Sequence, residues 1–255
     1  MLARMLSNTR TSNTEPVREE AAPSRRALLR TAVAGTAAAG SVLALGSSFP
    51  ASAATSGAAV RPTTPQQALR ELEAGNRRWR THRQEHPHES PATRLRLTTA
   101  QHPFAIVLGC VDSRVPPELV FDQGLGDLLT VRSAGEVLDE AVLGSIAYGV
   151  LELAVPLVLV LGHQSCGAVK AAVHAEETGE RLPAHIQYLA DQIRPSIDHA
   201  QQGEARVSAT IDANARRTRD RLAAEPDLAR AISAGKLAVA AARYDLRDQR
   251  VRTLR

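Results

Sequence analysis

Ile106-Val107-Leu108-Gly109-Cys110-Val111-Asp112-Ser113-Arg114 and Val160-Leu161-Gly162-His163-Gln164-Ser165-Cys166 decide how this chain folds. Each begins with an apolar run, closes it with glycine, and follows it at once with a cysteine or a histidine. Short continuous apolar runs are the pattern of strands buried on both faces of a parallel sheet. The edge at which such strands end is where an open α/β sheet collects its ligands.

Outward from these two segments, residues 104–109, 128–132 and 157–161 read as buried strands. Residues 138–154, between the last two, read as a crossover helix, which gives a parallel α/β sheet. Ile186, Leu189, Ile193 and Ile197 form a helical stripe further on. Residues 203–230 are polar and read as helix interrupted at Pro226, and Lys236 to Leu246 with Val251 beyond suggest an edge strand and hairpin. Structure is expected to begin at Thr64-Pro65, an N-cap followed by proline at the first helical position, with Leu69, Leu72, Asn76 and Trp79 at helical spacing. About 200 residues follow the N-terminal region, enough for one sizeable core and too few for two.

Cys110 and Cys166 are the only cysteines in the 255 residues. With His163 they offer two thiolates and one imidazole, a three-ligand zinc set that leaves the fourth position open to water, as catalytic zinc sites do. The three-residue spacing of His163 and Cys166 brings both side chains to one face if a helix starts there, and a helix N-terminus favours the thiolate. A single disulfide is the competing reading in an oxidising compartment, and a satisfied core histidine is the plain reading of His163. Placement of all three residues after matched strands favours the metal. Asp112 and Arg114, two apart in an extended segment, project to the same side and can pair beside it, whereas an isolated surface pair would matter little.

On these residues the chain resembles the beta-class carbonic anhydrases. The likeness runs through Gln101, Cys110 to Arg114 with Val115-Pro116 and Glu118, Gly126-Asp127, Val131-Arg132, Ala134-Gly135, Gly162-His163 and Cys166-Gly167. The resemblance implies an α/β fold, a mostly parallel central sheet flanked by helices with an added edge strand, over residues 64–255. It implies one zinc ion (Zn2+) per subunit held by Cys110, His163 and Cys166, with Asp112 and Arg114 as a catalytic dyad. The implied reaction is reversible hydration of carbon dioxide to bicarbonate and a proton through zinc-bound hydroxide, with zinc lowering the pKa of its water to about 7. Gln101 is implied in the substrate pocket, serving the partner's zinc, because active sites in the family lie at the interface of a homodimer or higher even oligomer whose N-terminal helix packs on the partner.

The chain departs from the family pattern at Ser133 and Glu136, where an asparagine pair is common. Glu136 puts a carboxylate where the family has an amide, and its expected place is the cap or first turn of the next helix. Leu129 stands where plant-type members carry phenylalanine, and Val107 where bicarbonate-regulated members carry tryptophan. The latter leads us to expect no such regulatory site and an Asp112 that stays on Arg114. Hydrolysis of carbonyl sulfide or carbon disulfide on the same ligand set, and a noncatalytic exported zinc module, are the alternatives. The Asp112 and Arg114 pair disfavours the second, since structural zinc needs neither.

Ser24-Arg25-Arg26-Ala27-Leu28-Leu29-Arg30, an apolar alanine-rich stretch from Thr31 to Leu45 and Ala51-Ser52-Ala53 follow the order of a twin-arginine export signal over residues 1–53. Residues 54–63 read as a flexible spacer. The stretch is too short and too weakly hydrophobic for a stable membrane span, so no membrane anchor is expected and the location is periplasmic or extracellular. Residues 1–53 carry six arginines and three glutamates, so their removal takes the formal charge from +4 to +1. With two lysines and seven scattered aromatics there is neither a basic stripe nor a stacking platform, which excludes nucleic acid as the expected partner. His82, His86 and His88 read as a solvated loop.

Overall fold

A computed structural model describes residues 61–255. The expected export signal and all but the last three residues of the spacer lie outside that range. Five strands form one sheet: β1 (Ala105–Gly109), β2 (Leu128–Arg132), β3 (Leu157–His163), β4 (Ala238–Tyr244) and β5 (Val251–Leu254). They lie in the order β2-β1-β3-β4-β5, and only the β4–β5 pairing is antiparallel. The expected mostly parallel sheet with an added edge strand is therefore present.

Among the described residues eight α-helices accompany it: α1 (Pro65–Arg80), α2 (Pro91–Arg96), α3 (Pro117–Val120), α4 (Glu140–Leu151), α5 (Gly167–Thr178), α6 (Ile186–Ile193), α7 (Gly203–Ala224) and α8 (Pro226–Ser233). β1 and β3 are buried along their whole length, as strands covered on both faces must be. Their side chains alternate between two cores. Ile106, Leu108, Val158 and Val160 pack with residues of α4, α7 and α8. Val107, Leu157, Leu159 and Leu161 pack with Ala68 and Leu72 of α1 and Val120 of α3.

Local chemistry sets the element ends. Thr64 caps α1 by accepting from the Gln67 amide while the Gln67 side chain reaches back, and Pro65 occupies the first turn. Asn76 on α1 ties that helix to two distant segments, donating to the carbonyls of Val120 and Gln249 and accepting from the Val251 amide. Asp139 caps α4 through the Val142 amide, so the crossover helix is shorter at both ends than the apolar pattern suggested. Pro226 ends α7 and opens α8, as expected from its lack of an N–H. His82, His86 and His88 each adopt left-handed backbone angles in the loop after α1. His88 pairs with Asp127 there.

β3 continues two residues beyond the expected end and includes His163. His163 and Cys166 thus do not share a helix face. They are brought together by a turn, and the fold places that turn beside the end of β1.

Candidate metal centre

Cys110 follows β1 directly, His163 ends β3, and Cys166 is the residue before α5. Because β1 and β3 are adjacent and parallel, their C-terminal ends meet at one edge. Ser165 turns the chain back with a left-handed φ of 57°, a conformation a non-glycine residue holds only when its surroundings enforce it. The Sγ of Cys110 and Cys166 and an imidazole nitrogen of His163 then lie within 4.8 Å of one another. Among the described residues this is the one group of three or more potential metal ligands so arranged.

The donor set fits zinc on three counts. The two sulfurs stand 4.0 Å apart, unbridged, and two sulfurs bound tetrahedrally to zinc at about 2.3 Å lie about 3.8 Å apart. His163 Nδ1 meets the Gln164 carbonyl at 2.9 Å, which leaves the lone pair on Nε2. Nε2 is fully buried and has no hydrogen-bond partner. A buried acceptor left bare is costly unless something binds it.

Cys110 is the more acidic thiol of the pair. The Cys166 hydrogen bond pulls it well below the ordinary range against the opposing effect of burial, and His163 and the amides of Gly135 and Asp112 add to the pull. The same Cys110 bond, followed by burial, pushes Cys166 upward. The Gly135 N–H reaches Cys110 Sγ at 3.4 Å.

Beside the ligands, Arg114 grips Asp112 in a fork, Nε to Oδ1 at 2.9 Å and a terminal nitrogen to Oδ2 at 2.7 Å. The Arg114 amide also donates to Oδ1, so the pair closes a turn and does not lie along an extended segment. The guanidinium holds the Asp112 carboxyl at about 2, against partial loss of hydration. Asp112 Oδ2 lies 3.9 Å from His163 Nε2 yet outside the ligand cluster.

One residue stands away from its own subunit's ligands, and a second does not sit where the sequence suggested. Gln101 is exposed before β1, and Cys110 follows the opposite end of that five-residue strand, about 16 Å along it. It does not reach the ligand cluster of its own subunit. Glu136 does not cap α4, because Asp139 does. Glu136 lies buried in the short 3-10 turn Ala134–Glu136, 1% exposed, with one carboxyl oxygen unpartnered. Burial first, and the nearby Cys110 second, push its carboxyl well above the ordinary value, with Asn214 pulling the other way.

Two further residues carry the site: Arg132, from the Val131-Arg132 stretch of the likeness, and Asn214, which no sequence signal marks. Arg132, at the end of β2, donates from Nε to the Cys110 carbonyl at 2.8 Å and from a terminal nitrogen to the Asp112 carbonyl at 2.7 Å. Asn214 on α7 holds the Gly135 carbonyl at 2.8 Å. Nothing in the sequence of the polar run 203–230 distinguishes Asn214 from the other polar residues there.

Fold and site together define a mostly parallel α/β protein with a Cys-His-Cys group fit to hold a metal at its strand ends and a carboxylate–guanidinium pair beside it. Residues 105–251 match the carbonic anhydrase family model. Carbonic anhydrase 2 of Mycobacterium tuberculosis is 40% identical over 190 residues, spanning 74% of this chain and 92% of that one. The carbonic anhydrase of Mycolicibacterium smegmatis is 41% identical over 191 residues, spanning 74% and 93%. The chain belongs to the beta-class carbonic anhydrase family. Solved structures agree on the fold: tetrameric beta-carbonic anhydrases of Sordaria macrospora superpose with a TM-score of 0.60 at 21% identity, covering 73% of this chain and 96% of that one. The Coccomyxa enzyme in complex with acetazolamide gives 0.59 at 23%, covering 73% and 86%.

Proposed function

We propose that this chain is an exported zinc enzyme that interconverts carbon dioxide and bicarbonate. The observation that carries the reading is the bare, buried Nε2 of His163 facing two close thiols, with an ionised Asp112 3.9 Å away. Cys110, His163 and Cys166 would hold one zinc ion per subunit. Zinc so bound lowers the pKa of water to about 7 and so supplies hydroxide at neutral pH.

The chain's own residues do the rest. Arg114 keeps Asp112 ionised and fixes its orientation, so that Asp112 would be ready to accept a hydrogen bond from the nucleophile held beside it. The Gln164 carbonyl fixes the His163 tautomer. Gln101 would serve the site of a partner subunit, in a homodimer or higher even oligomer. Its distance from its own ligands and the tetrameric state of the Sordaria relatives support that reading. Residues 1–53 would act as a twin-arginine signal removed on export to a periplasmic or extracellular location. Among the described residues no helix is long and apolar enough to cross a membrane.

Zinc content and stopped-flow hydration of carbon dioxide, measured on the protein lacking residues 1–53, test the proposal. Cys166→Ser is expected to lose metal, and Asp112→Asn to keep most of it while turning over poorly. Unchanged activity in both variants would exclude the mechanism.

A further inference from the structure

The Asp112 carboxylate is held by Arg114, but Arg114 is only two residues away and half exposed, so the two side chains form a local unit that can move as one body. Something outside that unit must set where it stands relative to the metal ligands. We propose that Arg132 is a positioning residue for Asp112, acting through the main chain; the proposal rests on the carbonic anhydrase reading of the site.

β2 lies beside β1 with Arg132 opposite Gly109, and the Ser133 amide extends the pairing to the Gly109 carbonyl at 3.1 Å. The guanidinium is therefore delivered next to the point where the chain leaves the sheet. There it bridges the carbonyls of Cys110 and Asp112 with two short bonds of 2.8 and 2.7 Å. One rigid fork thus ties the residue that carries a ligand to the residue that carries the carboxylate. A planar guanidinium can span two acceptors at once, whereas a lysine ammonium is a point charge on a flexible stem.

Val111, between the two clamped carbonyls, is 56% exposed and adds little packing to hold the segment. Apart from Arg132, the Asp112 carbonyl accepts only the Val115 amide within its own turn, at 3.1 Å. Without Arg132, the Asp112–Arg114 unit keeps its internal bonds and the Asp112 amide keeps its bond to Cys110 Sγ, but the Asp112 carbonyl loses its side-chain tether to β2. The 3.9 Å separation of Asp112 from His163 Nε2 is then no longer fixed.

The test compares Arg132→Ala and Arg132→Lys with the unsubstituted zinc protein. A displacement of about 1 Å at a reacting group lowers turnover by roughly 10². Arg132→Ala is therefore expected to lower kcat by about 10- to 100-fold, with KM changed less than about two-fold and zinc content retained. Arg132→Lys, which keeps the charge and loses the fork, is expected to recover only part of the loss. Crystal structures of both variants are expected to show Asp112 moved relative to His163 with the Asp112–Arg114 bonds intact.

Full recovery by lysine would assign the effect to charge and overturn the proposal, as would an unmoved Asp112 or an unchanged kcat. If the alanine variant does not fold, the lysine variant decides by the same measurements. Absence of carbon dioxide hydration by the unsubstituted zinc protein would instead defeat the functional reading, while the crystallographic separation still tests the tether.

Discussion

Gly135→Ala tests how closely the metal centre depends on packing behind it. Gly135 has a left-handed φ of 66°, donates its N–H to Cys110 Sγ and has its carbonyl held by Asn214. A Cβ there would stand 2.7 Å from Ile193 Cδ1 and 3.1 Å from Ala168 Cβ. Ile193 is fully buried, and Ala168 lies in the first turn of α5 just after Cys166, so neither neighbour gives way freely.

The left-handed backbone costs a non-glycine residue about 1–2 kcal/mol, and forcing extra volume into a filled core about 1–3 kcal/mol. A loss of about 3 kcal/mol is the expected result, equivalent to about 1 M in the urea midpoint at a slope of roughly 2–3 kcal/mol per M. The added methyl presses on α5 next to Cys166 and strains the residue whose N–H meets Cys110 Sγ, so zinc should also leave faster in the presence of a chelator. Urea denaturation and the rate of zinc transfer to a chromogenic chelator measure the two effects. A midpoint within about 0.2 M of the parent, together with unchanged zinc release, would refute the reasoning from backbone and overlap.

Three other substitutions probe separate features. Gly144→Ala, on the exposed face of α4 with open space around the new methyl, should add about 0.5–1 kcal/mol of stability, and a loss in thermal melts would refute that reading. Burial pushes Asp122 upward, but Arg78 and the amides of Glu85 and His86 outweigh it and lower its pKa, so its contribution is present above the unfolded carboxylate value and lost as pH falls through the folded one. Asp122→Asn should therefore cost about 2 kcal/mol at pH 7, with the difference from the parent closing toward pH 3 in thermal melts. Glu136 has a raised pKa, so its contribution is full below 4.5 and is lost as pH rises toward the folded value. Glu136→Gln keeps the shape without titrating, and its melting temperature should gain on the parent between pH 5 and pH 8. Parallel melting curves for the two would contradict a buried neutral carboxyl.

Much of the site was legible because it is built where the chain leaves its strands. Apolar runs ending in glycine located β1 and β3 and hence Cys110 and His163, and the strand at 128–132 matched residue for residue. The N-terminal helix was equally plain, since capping by Thr64 and proline at the first turn are local interactions within a few residues. Chain-neighbour chemistry also made the Asp112–Arg114 pair foreseeable, although the backbone forms a turn there.

Contacts between distant segments were not legible. Sequence periodicity has no way to say that Glu136 turns inward while Asp139 takes the cap, because both are acids placed just before a helix, and only packing of α7 and α5 around the turn decides between them. Asn214 is one of many polar residues on α7 and becomes special only because α7 crosses behind Gly135. The sequence by itself determined the strand order of chemistry: which residues bear sulfur, imidazole and carboxylate, and that they stand at strand ends. Tertiary structure decided the separations and partners, because the 4.0 Å between two sulfurs and the grip of Arg132 on two carbonyls depend on how adjacent strands register, a property of the sheet and of no single segment.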